Sequence, residues 1–465
     1  MIRFARYRTS LVGRMGPVAG WLSVIGLLGA SGIAQAALMS VSTTAPTIDG
    51  FDVAQLVGGQ TANNDYTAIW SDRPRQGQSF TTGTAVPIYE LQAITLKHNY
   101  SNTTWTTTGP WTIRIGVLDA GNNLTVLHTE TASGVNLGGN VVYTTWTLQT
   151  PMRLRPNLMY AFDVFSSGSG MVTENSPATS NPYGGGTAIS SGGTRGGNPI
   201  FPDNPQTTSN FDRVFHLDIG SVYALDLGDF VGGGNGRGTG AFGAGIRPDT
   251  GASVAPGVFG GNHPGVGPKF TAYTASPYID GLLVPDGATQ ISTTGLTYAF
   301  PDTDGNHWDA VRNGVSVLES NGTVRPLRLA DGNITTFGIG LHANAGITFD
   351  LEAIRASLLP GESITSLMAV AGGQDGSQNP VGYVLFDGVL QWSGTLGAGT
   401  ALNLAIPDTV RFLTLASTDG GNGYGNDKAY FAEAFLMLSV PEPAAWQMLA
   451  LAGLILAAWG RLRRQ

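Results

Sequence analysis

The chain has 465 residues, of which 67 are Gly, 25 Pro and none Cys, with 12% charged residues and a formal net charge of −8. Each interior Gly costs a helix about 1 kcal/mol, whereas hairpin turns use Gly, Asn and Asp, so the composition excludes helical bundles and coiled coils and points to an all-β protein. The lack of Cys excludes disulfides, thiol nucleophiles and Cys-based zinc sites, while an apolar content of 42% suffices for packed cores.

At the N-terminus Arg3, Arg6, Arg8 and Arg14 precede an apolar run over 18–30 and the triplet Ala34-Gln35-Ala36. This order predicts a secretory signal peptide over 1–36, cleaved after Ala36, and export by the Sec pathway. Setting aside 1–36 and the tail from Pro441 removes seven of the 24 basic residues but only one of the 32 acidic ones, leaving a body of net −14. So acidic a surface repels phosphate backbones, which excludes nucleic acid as a partner.

Residues 37–225 read as short strands between polar turns. In Trp111-Thr112-Ile113-Arg114-Ile115-Gly116-Val117 apolar residues fall on alternate positions, and Asp119-Ala120-Gly121-Asn122-Asn123 turns the chain into Leu124-Thr125-Val126-Leu127. Further strands are predicted at 91–96, 141–148, 158–165 and 214–219, which together suggest a β-sandwich or jelly roll. The polar stretch 173–210 reads as a surface excursion. From Gly228 to Gly267 there are 15 Gly in 40 residues. Without an amphipathic helix after them these glycines are no dinucleotide loop, and 226–274 is expected to be a Gly-rich connector.

The segment 275–440 carries a strong hairpin signal. Both central residues of a type I′ turn need positive φ, and Phe386-Asp387-Gly388-Val389 supplies them between two apolar runs. Ile347, Phe349 and Leu351 alternate with polar residues in another predicted strand. Gly338-Ile339-Gly340-Leu341-His342-Ala343, the Phe386-Asp387-Gly388 hairpin and the closing run through Thr418-Asp419-Gly420-Gly421-Asn422-Gly423 to Asp427 resemble, in order, the NPCBM family. Lys428 and Phe431 depart from it, standing where the family has His and Trp. The resemblance implies a galactose-binding-like β-sandwich that binds carbohydrate.

Sugar recognition needs aromatic rings for pyranose faces and polar groups for hydroxyls. Trp392, Tyr424, Tyr430, His342 and Asn344 are of the right types in this segment. Asp302-Thr303-Asp304-Gly305-Asn306 places oxygens at alternating positions, as calcium loops do, but His307 and Asn313 stand where an EF-hand needs Gly and Glu. Asp302, Asp304 and Asn306 are therefore calcium candidates, and by the resemblance Glu433 near the last strand is their partner. The six histidines, His98, His128, His216, His263, His307 and His342, are dispersed, and neither His-Glu-x-x-His nor Gly-x-Ser-x-Gly occurs.

Pro441-Glu442-Pro443 is followed by an apolar stretch over 444–460 and then by Arg461, Arg463 and Arg464. Seventeen residues span about 25 Å as a helix, near the lower limit for a bilayer core, with the arginines on the cytoplasmic side. This tail resembles the PEP-CTERM sorting signal of Gram-negative bacteria. The resemblance implies transient anchoring in the inner membrane by a transmembrane helix, processing by an exosortase, and delivery to the cell envelope, surface or extracellular matrix. Taken together, the sequence predicts two β-sandwich or jelly-roll regions joined by a Gly-rich connector on one C-terminal helix, in a non-enzymatic protein that binds exopolysaccharide. The alternatives are a glycan hydrolase with carboxylates in 37–225 and a purely structural surface protein.

Overall fold

The computed structural model describes residues 36–58, 66–69, 75–98, 109–135, 142–166, 171–177, 182–192, 194–195, 198–199, 203–301, 303–374 and 377–439. The signal peptide expected before Ala36, Asp302, and the expected sorting motif of Pro441, Glu442, Pro443, Arg461, Arg463 and Arg464, with the helix predicted over 444–460, lie outside them. Among the described residues no helix is long and apolar enough to cross a membrane.

The architecture is all-β, and the described residues hold two helices, each of a turn or two, Leu227–Val231 and Leu351–Ala356. The described residues of 37–221 form two large antiparallel sheets, beside a short ribbon of Thr194–Arg195 and Asn198–Pro199. One is centred on Val142–Leu154, Tyr89–His98 and Phe215–Ser221; the other runs Thr207–Thr208, Ala188–Ser191, Arg75–Thr81, Met159–Ser166, Trp111–Leu118, Leu124–Ala132. Their inner faces meet in a core where Trp111 and Trp146, one from each sheet, lie 5.9 Å apart. The alternation predicted for Trp111–Leu118 holds: Trp111, Ile113 and Ile115 are buried and Thr112 and Arg114 half-buried. The stretch 173–210 is not wholly a surface excursion. Thr173 and Glu174 are buried in one sheet, and Ala188–Ser191 pairs with Arg75–Thr81 in the other.

The second sandwich begins earlier than the sequence suggests, because 226–274 is built into it. Ala224–Asp226 pairs with the last strand, Lys428–Ser439; Gly245–Ile246 joins the eight-stranded sheet through Val311–Asn313; and Lys269–Ala272 edges the six-stranded sheet. The reason lies in two carboxylates that give the glycine amides partners. Asp226 caps Leu227–Val231 by accepting from the Gly228 N–H, and the fully buried Asp229 accepts from Gly236 and Gly240 at 2.8 and 2.6 Å. Buried backbone donors need such partners, and here a side chain replaces a regular ladder.

Gly338–His342, Lys428–Ser439 and Ser363–Gly373 form the middle of the eight-stranded sheet, facing Ala345–Asp350, Phe412–Thr418 and Val381–Phe386 of the other. Ile339, Ile347, Phe349, Leu413 and Phe431 fill the space between. The hairpin at 386–389 forms as predicted, with φ of 47° at Asp387 and 79° at Gly388. Leu351 leaves the predicted strand to open a helix instead, because Asp350 accepts from the Glu352 and Ala353 amides as its cap.

The sandwiches are in direct contact. Arg155, 5% exposed, bonds the Thr336 carbonyl, Asp226 (3.1 Å) and Asn313 (3.0 Å) and lies 4.7 Å from the Phe337 ring centroid. Glu433 sits at a bulge with φ of 48°, which turns its carboxylate onto Arg153 at 2.8 Å.

Candidate functional site

At one end of the second sandwich, the short ribbon of Asn262–His263 and His307–Trp308 packs beside the loop between Phe412–Thr418 and Lys428–Ser439. Trp308 and Tyr424 are both half-buried, and the His342 ring neighbours both, 6.5 Å from Trp308 and 6.3 Å from Tyr424. The Tyr424 hydroxyl donates to the exposed Asn262 at 3.2 Å, and Phe259 braces Trp308 at 4.7 Å. The face thus combines two accessible rings with an amide that can pair hydroxyls.

His342 is 4% exposed and hydrogen-bonds the Ala343 carbonyl through Nδ1 at 2.7 Å. Burial pushes its pKa down to about 4, so it lies as a neutral ring beneath the face rather than on it. Asn344 is fully buried, donating to Asp304 (2.9 Å), Asp419 (3.0 Å) and the Asn306 carbonyl while its own Oδ1 accepts from the Asp419 amide. Tyr430, 1% exposed, belongs to a core cluster with Leu327 and offers no face to a sugar. Trp392 lies on the edge strand Val389–Thr395, its indole laid over Gly382 and Gly394, which face each other across the strands; a Cβ at either would sit within 3.0 Å of the ring. Of the five candidates, the structure therefore brings His342 and Tyr424 together at the loop face and leaves Tyr430 in the core.

Beneath the Tyr424 loop lie three carboxylates. Asp304 is held below the usual carboxylate range: burial opposes this, but bonds from the Asn306 backbone and side chain outweigh it. Asp419 is raised by burial, and Asp427, fully buried, is pushed up to about 7 by burial and then by Asp419. Neither carboxylate oxygen of Asp427 has a properly formed hydrogen bond, apart from a weak pull from the Gln378 backbone. A buried acidic group in this position needs a proton or a cation; the oxygens of Asp304, Asp419 and Asp427 are of the type calcium takes, but they do not converge within 4.8 Å of one another. The cluster differs from the set expected from the sequence. Asn306 is spent on Asp304 and the Gly265 amide, and Glu433 is six strand residues beyond Asp427, roughly 20 Å along the strand, on Arg153.

Sequence reading missed two groupings. His263 and His307, dispersed in the chain, stack at 4.7 Å. Between the sandwiches lies a cavity of about 480 Å³ whose lining is mostly apolar, Val117, Leu127, Val315 and Ile334 among it, with Phe242, Arg155 and Asn157 also on its wall. Among the described residues of 37–225 the buried carboxylates have side-chain partners: Asp163 has Arg114, Glu174 has Lys97, Glu130 has His128 and Asp212 has Gln78.

No family model matches the chain, and no curated protein resembles it. Among solved structures, a CBM51 module from Clostridium perfringens GH95, in complex with methyl-galactose, is 20% identical over 27% of this chain and 87% of its own, with a TM-score of 0.23. The tandem CBM51 modules of the family 98 glycoside hydrolase Sp3GH98 from Streptococcus pneumoniae SP3-BS71 are 10% identical over 86% of this chain and 99% of theirs, at 0.22. The CBM51-2 and INT domains of C. perfringens ZmpB are 19% identical, each chain being covered to 28%, at 0.23. At such scores the functional reading rests on the side chains of the loop face.

Proposed function

We propose that this is an exported glycan-binding protein of the cell envelope, sorted by an exosortase through its tail and held transiently in the inner membrane. It engages extracellular polysaccharide non-enzymatically through the loop face of the second sandwich. The observation that carries the binding is the pairing of Trp308 and Tyr424 around exposed Asn262, with neutral His342 as a rigid floor. Stacked rings gain from the apolar face of a pyranose, and the Asn262 amide pairs hydroxyls that an apolar slot would strand. A calcium ion entering among Asp304, Asp419 and Asp427, whose oxygens must first draw together around it, would supply positive charge that fixes the Tyr424 loop from below. Export is supported by the basic, apolar and Ala-x-Ala order of 1–36 and by the Pro-Glu-Pro, apolar and basic order of the tail.

Affinity electrophoresis of the full chain through gels containing bacterial exopolysaccharides tests the binding. Retardation by at least one glycan is expected, with Tyr424→Ala and Trp308→Ala each weakening it about tenfold or more, equivalent to about 1.4 kcal/mol. Retardation that both variants retain would place the binding elsewhere.

A further inference from the structure

The ribbon behind the loop face brings three metal-ligating side chains together. His263 and His307 are a cross-strand pair, so their rings leave the ribbon on one side and stack at 22°. Asp249, 6% exposed, reaches both: His263 Nδ1 is 3.7 Å from its Oδ2 and His307 Nε2 is 3.8 Å from its Oδ1. One ligand atom from each residue lies within 4.8 Å of the other two. Around a tetrahedral zinc ion, ligand atoms sit about 3.4 Å apart, so small side-chain rotations close the set.

Two features point to an ion here rather than to a packed histidine pair. His307 is fully buried, yet neither ring nitrogen has a hydrogen-bond partner, and Nε2 faces the carboxylate. His263 donates from Nε2 to the Gly260 carbonyl at 3.1 Å, the outer-shell contact that fixes the tautomer and leaves the Nδ1 lone pair free to ligate. That lone pair now accepts from Arg247 Nη2 at 3.0 Å, and the same guanidinium bonds both oxygens of Asp249 at 3.0 and 2.6 Å. The Arg247 side chain is 27% exposed, so it can leave for solvent. A guanidinium spread over a carboxylate and an imidazole lone pair stands where a smaller, denser cation would bind.

We propose that Asp249, His263 and His307 form a site for one divalent transition-metal ion, zinc or its cobalt surrogate, which competes with Arg247 and clips the Gly-rich segment 247–263 to the His307–Trp308 strand. Two imidazoles and one carboxylate suit zinc, cobalt or nickel rather than calcium, which takes oxygen ligands. The site leaves one coordination position for water.

The test is a cobalt titration of the full chain, purified without a polyhistidine tag and stripped of metal. One equivalent is expected to develop ligand-field absorption that zinc abolishes and excess calcium does not. His307→Ala should weaken binding at least tenfold. Because that variant opens a buried void, two further ones at less buried positions carry the decision: His263→Gln should weaken binding comparably, and Arg247→Ala should tighten it at least tenfold. Cobalt binding absent from both the native chain and Arg247→Ala, or binding that His263→Gln leaves unchanged, would overturn the proposal and leave the cluster an ion pair locked by Arg247.

Discussion

Glu130 is a buried carboxylate whose partners decide its charge. It accepts from His128 Nε2 at 2.8 Å and from the Gln149 and Thr150 amides at 2.9 and 3.1 Å. Burial alone raises such a group, but these bonds outweigh it and hold Glu130 below its ordinary value of 4.5. Since the folded pKa is the lower one, Glu130 adds stability above its ordinary value, and that stability is lost as the pH falls through the folded value. Thermal melts should therefore show Glu130→Gln destabilised by about 1–3 kcal/mol near neutrality and losing less than the native chain as the pH falls from about 5 to 3. Asp427 presents the opposite case, a buried acid without good partners. Calcium added to metal-free protein should raise its melting temperature. Asp427→Asn, which removes the repulsion from Asp419, should melt higher without calcium and ignore its addition; a native chain indifferent to calcium would remove the ion from the loop face.

Among the elements, those specified by neighbours in the chain were legible in the sequence. The Asp387-Gly388 turn needs positive φ at two adjacent residues, and the alternation in Trp111–Leu118 needs only its own side chains. Elements that depend on distant partners were not legible. The glycines of 226–274 carry no periodicity, and what orders them is Asp229, whose role appears only once Gly236 and Gly240 fold back on it. Likewise Glu433 could be misread as an ion ligand because its bulge, and the turn toward Arg153, is set by the pairing of Lys428–Ser439 with Ser363–Gly373. His263 and His307 meet because a ribbon registers them across more than forty residues. The consequence is testable by expression of two fragments. Residues 275–439 lack Ala224–Asp226, Gly245–Ile246 and Lys269–Ala272, leave strand edges unpaired, and should aggregate. Residues 222–439 retain all three and should give a cooperative melt.

In the molecule as a whole, the two sandwiches share buried groups: Arg155 from the first lies among Asp226, Asn313 and Phe337 of the second, and Ile88 packs with Phe337 and Phe435. Removing one partner of a buried ion pair typically costs about 3–5 kcal/mol, so this seam joins the halves more firmly than a flexible linker would. The proposed export of this body is a matter for its ends. An alkaline phosphatase reporter fused after Ser439 should be active only on the far side of the inner membrane; activity confined to the cytoplasm would end the envelope reading.

Lys428–Ser439 is the last described strand, and it runs between Ser363–Gly373 on one side and Gly338–His342 followed by Ala224–Asp226 on the other, rather than along an edge. Tension applied through the residues after Ser439 would therefore enter along the strand axis, where the ladder bonds to both neighbours must shear together before the chain yields. A load on the opposite end of the sandwich would meet those ladders in shear rather than one bond at a time.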